Sequence, residues 1–378
     1  MKLFRYLLLI FLLWNIPTFF SYDVSIGSKL SYAAYILLII YYLFVKKNKP
    51  LTIFFILGLF YYVISGAVYV EEIEFYYYGF IKFFILILAG AELMRNTNNA
   101  EFFCFLILGS TSIIIHATLF QNDYGRYSGF YLDPNAAGFV CLLGYAQGFS
   151  IKNTYFKLIG QFILTFAGIL TFSRTFILLW FLVSVISVFA NRKNAVNFGV
   201  GAAVLVIVLS IASILQLNAV RFQALESFLG NNPKSSARVI QTDSRFDTWA
   251  VYYDMILNNP YFGNGYKTLS GYYTNYAGVH NTFLMILGES GIFTFFVFCF
   301  IYFGMLFKGF AIFKFQPFLF MMVFTLMGSM LTVHNYFENF VIMLTSFWLF
   351  IRINESQDSI SSNQLIEKGV KPVKNDHS

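Results

Sequence analysis

Apolar runs separated by short polar stretches constrain this chain more than anything else in it. A membrane-spanning helix needs about 20 mostly apolar residues. About twelve such runs follow one another. They are Tyr6 to Phe20, Leu30 to Val45, Leu51 to Val70, Ile73 to Ala91, Phe102 to Phe120, Asn135 to Phe149, Tyr155 to Phe172, Thr175 to Ala190, Val196 to Leu215, Thr282 to Phe307, Pro317 to Val333 and Tyr336 to Ile351. Composition agrees. The chain is 58% hydrophobic and 11% charged, whereas a soluble domain carries roughly 25% charged residues. So few charges leave a core without a polar shell, and lipid must take that place. The 49 Phe suit hydrocarbon, and many of the 26 Tyr suit the interfaces. The first run follows Lys2 and Arg5, as in a signal peptide. No small-x-small cleavage site follows it, so it reads as a retained helix. The expected fold class is all-α: a polytopic membrane protein of about 12 transmembrane helices with one large loop.

Basic residues orient the runs. With the N-terminus in the cytoplasm, the cytoplasmic connections hold Lys46, Lys47, Lys49, Arg95, Lys152, Lys157, Arg192, Lys193, Lys308 and Lys314. The short outer connections hold only Lys29, Arg126 and Arg174, with Glu71, Glu72 and Glu74. This is the positive-inside pattern. It accounts for the net charge of +7 without nucleic acid. The same alternation puts the polar stretch from Gln216 to Val279 outside the cytoplasm. Within it, Phe246, Trp249, Tyr253 and Ile256 recur at helical spacing, which predicts an amphipathic helix along the membrane surface, ended by Pro260. The expected domains are a transmembrane domain over 1–352, including this loop at 216–279, and a cytoplasmic tail over 353–378 whose Ser, Asn and Lys content predicts disorder. Cys104, Cys141 and Cys299 all lie in apolar runs with no metal or disulfide spacing.

Phosphate-loop, dinucleotide and metal-ligand motifs are absent, so no cofactor or metal is expected. Of the four histidines, His377 lies in the tail, and His116 and His334 read as interfacial polar residues at helix ends. His280 differs in its company. It precedes Asn281 and Thr282, either of which suits a helix cap, and it follows the arginine-bearing loop. Imidazole titrates near neutrality and can take a proton from a sugar hydroxyl, so a catalytic base and a structural cap both remain open there. Arg174 sits in Ser173-Arg174-Thr175, which is all that separates two apolar runs. A cation at that depth either snorkels to headgroups or grips a ligand phosphate. Arg245 and Trp249 are four residues apart and share a helical face, as a lipid-borne phosphosugar site or as an interfacial anchor. Arg126 lies near Asp133-Pro134-Asn135, where Asp133 suits an N-cap with proline at N1. Lys82 lies inside a run and points to a cavity only weakly. Glu289, nine residues after His280, would lie on the opposite side of a straight helix and is not taken as its partner.

Together these pieces resemble a known family. "SRFDTW" (Ser244–Trp249), "ILNNPYFGNGY" (Ile256–Tyr266) and "GVHNTFLMILGESG" (Gly278–Gly291) are similar in order and spacing to the signature region of the O-antigen ligase and O-antigen polymerase superfamily. That signature is an Arg-x-x-x-Trp helix, a Pro-x-x-Gly-x-Gly turn and a His-Asn-x-x-Leu helix start leading to Glu-x-Gly. "TFSRT" (Thr171–Thr175) and "GFYLDPNAAG" (Gly129–Gly138) also resemble family segments.

The resemblance implies a metal-independent, GT-C-like glycosyltransferase in the bacterial inner membrane, multi-pass, with both termini cytoplasmic. The donor it implies is an undecaprenyl-pyrophosphate-linked oligosaccharide drawn from membrane lipid. His280 would be the catalytic residue, with Arg245 and Arg174 holding the pyrophosphate; Asn281, Trp249 and Arg126, read from their own placement, are the further residues expected to bind substrate. It also implies partners in the same pathway, a flippase and a chain-length regulator, and no nucleic acid. A polymerase, which joins repeat units, is the expected activity. A ligase, which moves the polymer to the lipid A core, shares the chemistry and differs in the acceptor. A flippase would need charges along a path through both leaflets, whereas these cluster on the outer side.

Overall fold

The computed structural model describes the chain except residues 23, 121–125, 215–244, 272–276 and 368–378. All regular elements among the described residues are helical. They run as α1 (Lys2–Leu13), α2 (Ile16–Phe19), α3 (Val24–Phe44), α4 (Thr52–Val68), α5 (Ile73–Arg95, with a π-helical turn at Leu86–Gly90), α6 (Asn99–Leu119) and α7 (Pro134–Gly148). Then come α8 (Thr154–Leu170), α9 (Arg174–Ala190), α10 (Ala195–Ile214), α11 (Arg245–Asn258), α12 (Thr282–Ala311), α13 (Pro317–Met330) and α14 (Phe340–Glu367). Helices α3, α5, α6 and α12 are long and apolar enough to cross a membrane. Helices α4, α8, α9 and α13 are apolar but shorter.

Exposed aromatics mark the outer surface. On α12, Phe296, Phe300, Phe303 and Phe307 are all exposed and follow one another at three- and four-residue spacing. The opposite face buries Phe298, Ile301, Tyr302 and Met305. A stripe of exposed Phe this long would aggregate in water and belongs against lipid. Helix α7 is apolar all round and is buried from Ala137 to Gly148, packed on α6, α8, α9 and α13. One end of the bundle is tied by charged groups: Arg5 to Glu101 and to the Asn96 carbonyl, Arg95 to the Lys49 carbonyl, and Arg352 to the carbonyls of Arg95 and Thr97. These groups come from four segments that the basic-residue pattern assigns to one side.

Three expectations are corrected. The run Tyr6 to Phe20 is not one helix: Asn15 takes a left-handed conformation (φ 56°), which asparagine tolerates better than most residues, and Pro17 opens a second short helix. Helix α14 continues past Arg352 to Glu367, so the polar residues 353–367 are helical where composition predicts disorder. Its nucleus is already formed by the packed apolar half, and each added residue costs only propagation. Residues 368–378, with His377, lie outside the described residues. The third correction is in α12. Gly291 has φ 75° and ψ −175°, which breaks α12 into a short piece before it and a long apolar piece after it.

The break is filled by the turn after α11. The Ile292 N–H donates to the Pro260 carbonyl (2.9 Å), the Asn264 N–H to the Gly288 carbonyl (2.7 Å) and the Gly265 N–H to the Glu289 carbonyl (3.0 Å). Backbone groups freed by a break inside a membrane must find partners in the protein, and this turn supplies them. A Cβ on Gly291 would stand 2.0 Å from the Tyr261 carbonyl oxygen, and one on Gly263 2.4 Å from the Glu289 carbonyl carbon. The Pro-x-x-Gly-x-Gly turn and the Glu-x-Gly step are thus two halves of one joint.

Candidate active site

The short first piece of α12 opens the site. Asn281 caps it: its side-chain oxygen accepts the N–H groups of Phe283 (3.0 Å) and Leu284 (3.2 Å), and Asn281 is buried. Its carbonyl-type oxygen is thereby engaged as a cap. His280 stands just before the cap with φ 45°, a left-handed conformation that costs a non-glycine residue on the order of 1–3 kcal/mol. The neighbouring connection, from α13 to α14, lies against it. The Thr282 hydroxyl donates to the Val333 carbonyl (2.7 Å), and the two imidazoles meet with Nδ1 of His334 3.2 Å from Nδ1 of His280. Their rings are edge to face, 4.4 Å between centroids.

His334 also donates to the Ser270 carbonyl, and Gly278 leaves room for that contact: a Cβ there would clash with both the Ser270 oxygen and the His334 Nε2. Burial, and then the neighbouring His280, push the His334 imidazole down to about 4, against smaller upward effects of Ser270, Asp133 and Glu338. His334 is therefore neutral at physiological pH. The sequence reading treats it as an interfacial residue, yet Val333-His334-Asn335 repeats the tripeptide Val279-His280-Asn281. That repeat is the one signal in the sequence for the pairing.

A second group stands at the same end. The Arg126 guanidinium donates to the Thr171 carbonyl (3.2 Å) and to the Asn135 side-chain oxygen (3.3 Å), which also accepts the Ser173 hydroxyl (3.1 Å). Ser173 caps α9, and Arg174 is its first residue, exposed. A cation at the positive end of a helix dipole works against helix stability. Together with the adjacent helix N–H groups it makes a corner that attracts anions. Asp133 caps α7 through Asn135 and Ala136, and it is close enough to His334 to act on it electrostatically. Through it the arginine-bearing loops adjoin the histidine pair.

Helix α11 brings Arg245 to its first position; the Arg245 side chain lies outside what is described, as does the 216–244 part of the loop. Trp249 is partly buried against the core, with Tyr252 and Ile256 buried. Tyr253, expected on that face, is 42% exposed; the inward positions follow 249, 252, 256, and the Tyr252 hydroxyl donates to the Ala277 carbonyl (2.8 Å). His116 accepts the N–H groups of Ser128 and Gly129 on Nδ1, which fixes the loop before α7. Lys82 lies over the rings of Tyr32 and Tyr35.

A cavity of about 330 Å³ adjoins the pair, walled by His334, Tyr61, Tyr266, Glu289 and the ion pair Lys267–Glu338 (2.6 Å). None of the six residues selected from the sequence is among its described walls. Glu289 is buried; it accepts the Tyr61 hydroxyl (2.5 Å) and the Leu269 N–H (3.1 Å), tying the turn to α4 rather than reaching His280. Among the described residues no group of three or more His, Cys, Asp or Glu could hold a metal ion.

Residues 159–299 match the model of the O-antigen ligase family, which supports the O-antigen ligase and polymerase superfamily. The matched stretch runs from α8 across the loop and the joint to the second piece of α12. No curated protein matches the chain significantly.

Proposed function

We propose that this member of the O-antigen ligase and polymerase superfamily is a GT-C-type glycosyltransferase that joins undecaprenyl-pyrophosphate-linked repeat units into a surface polysaccharide. It works at the periplasmic face of the bacterial inner membrane, spans it about twelve times, and keeps both termini in the cytoplasm. The observation that carries this reading is His280, held in a strained backbone at the mouth of a broken membrane helix. Strain of this kind collects at functional sites.

In this reading His280 takes the proton of the acceptor hydroxyl as that oxygen attacks the anomeric carbon. The bond to the pyrophosphate breaks, and the lipid pyrophosphate leaves with its electron pair. Charge grows on the diphosphate, and Arg174, Arg245 and Arg126 offset it with planar, always-charged donors and no metal. Asn281 orients His280 through the cap, and Trp249 anchors α11, which lies along the membrane surface. Gathering of Arg5, Lys49, Arg95 and Arg352 at the far end supports the orientation. A flippase and a chain-length regulator would be its pathway partners. The family's description as an O-antigen ligase favours a second reading, transfer of the polymer to the lipid A core.

His280→Asn in purified protein, supplied with lipid-linked repeat unit and EDTA, tests the chemistry. Wild type should extend chains and the variant should lose about 10²–10⁴-fold in rate. An active variant, or wild type silenced by EDTA, would overturn it. A deletion strain separates the acceptors. A single repeat left on the core means polymerase; a core with no repeats at all means ligase.

A further inference from the structure

Two imidazoles facing each other through the same kind of nitrogen must differ in protonation at that nitrogen. One Nδ1 carries the hydrogen and the other accepts it. His334 settles which. Its second nitrogen donates to the Ser270 carbonyl, a contact that places the hydrogen on Nε2 of a neutral ring. Nδ1 of His334 is then a lone pair, 3.2 Å from Nδ1 of His280. The hydrogen between the rings belongs to His280.

We propose that His334 is a positioning residue that fixes the tautomer of His280, holding hydrogen on Nδ1 and the lone pair on Nε2. The inference rests on His280 being the base. It assigns the atom that takes the acceptor proton, Nε2, and gives His334 the orienting part that a carboxylate or carbonyl often plays beside a histidine. A neutral orienter suits this site. A carboxylate in contact would favour imidazolium even without substrate, whereas a neutral imidazole orients the ring without adding a charge beside the departing diphosphate. The groups acting on His334 are His280 across the contact, Ser270 from the turn, Asp133 from the start of α7 and Glu338 from its own connection. The contact is braced from both sides: Thr282 ties the two connections together, and Gly278 leaves the space that Nε2 occupies.

The test reads the tautomer directly. The intact protein in detergent, with ¹⁵N-labelled histidine, has four histidines to assign, and the His280→Asn spectrum identifies the His280 signals. His280 should show a protonated Nδ1 in wild type at pH 7.5. In His334→Ala that signal should move to protonated Nε2 or to a mixture of tautomers. His334→Asn offers a side-chain oxygen close to where Nδ1 stood and should restore both the tautomer and most of the activity. The kcat of His334→Ala should fall about 10-fold or more, short of the loss on removing the base itself, with KM for the lipid-linked donor little changed. A wild-type His280 protonated on Nε2, or a tautomer unmoved in His334→Ala, overturns the proposal. If His334→Ala does not fold, the wild-type spectrum alone decides. The readout needs no turnover, so an active His280→Asn would sink the base assignment while leaving the tautomer result standing.

Discussion

Gly291→Ala separates a broken α12 from a continuous one, because the two give opposite signs. In a continuous helix, alanine in place of glycine stabilises by about 0.5–1 kcal/mol. In the structure here, Gly291 lies at φ 75° and ψ −175°, a region essentially closed to side chains, where strain costs on the order of 1–3 kcal/mol. The added Cβ would also meet the Tyr261 carbonyl oxygen at 2.0 Å and the Phe262 nitrogen at 2.6 Å. These are backbone atoms of the turn and cannot rotate away. Moving the turn breaks the bond from Ile292 to Pro260, and leaving that buried N–H unpaired costs about 1–3 kcal/mol more. The sum is a loss of roughly 2–6 kcal/mol. Gly304→Ala is the control on the same helix: nothing lies within 4 Å of its Cβ, so it should be neutral or gain about 0.5–1 kcal/mol. Thermal unfolding of the purified proteins in one detergent, followed by thiol-reactive dye, measures both. Gly291→Ala melting at or above wild type would refute the break and the joint built on it.

Arg174→Lys and Arg245→Lys should each keep membrane insertion and lose up to about 10²–10³-fold in kcat, because lysine keeps the charge without the planar fork; wild-type rates in both would make them membrane anchors. His334 is ordinarily a group of about 6.5, held down to about 4 in the folded protein, so the unfolded state binds the extra proton between those values. Stability contributed there is complete above about 6.5 and falls as pH drops toward about 4; the drop in melting point on going from pH 7 down to pH 4 should be less steep in His334→Asn. A cysteine at the exposed Ala277, with Cys104, Cys141 and Cys299 replaced, should react with an impermeant reagent in cells with a permeabilised outer membrane. Labelling only after inner-membrane lysis would invert the orientation.

Hydropathy made the all-helical character legible, since apolar runs of this length satisfy their own backbone groups as helices, and four of the described helices are long and apolar enough to cross a membrane. It could not show the break in α12, because glycine is common in membrane helices and Thr282 to Phe307 reads as one run. The motif residues Pro260, Gly263, Gly265, Glu289 and Gly291 were visible in order and spacing. Their common purpose was not, because it lies in backbone contacts across the chain. Local company singles out His280 in the sequence as a candidate. His334 was passed over because its partner lies 54 residues away, and hydropathy carries no pairing information. On α11 the side packed against the protein runs through Trp249, Tyr252 and Ile256, and Tyr253 is exposed. Glu289 stays apart from His280, engaged by Tyr61 and Leu269 instead; the break at Gly291 falls after it, so the helix between the two is straight, as the nine-residue spacing assumes.

The contact between the two histidines also sets an order of assembly. His280 leaves the ribosome well before His334, with α12 and α13 between them. Until the connection after α13 is in place, the nascent protein carries His280 without its partner imidazole. If His280 is the base, as proposed, the centre is complete only once insertion is complete. On that reading, a chain stalled after Ala311 would sit in the bilayer beside the proposed lipid-linked donors and leave them unspent.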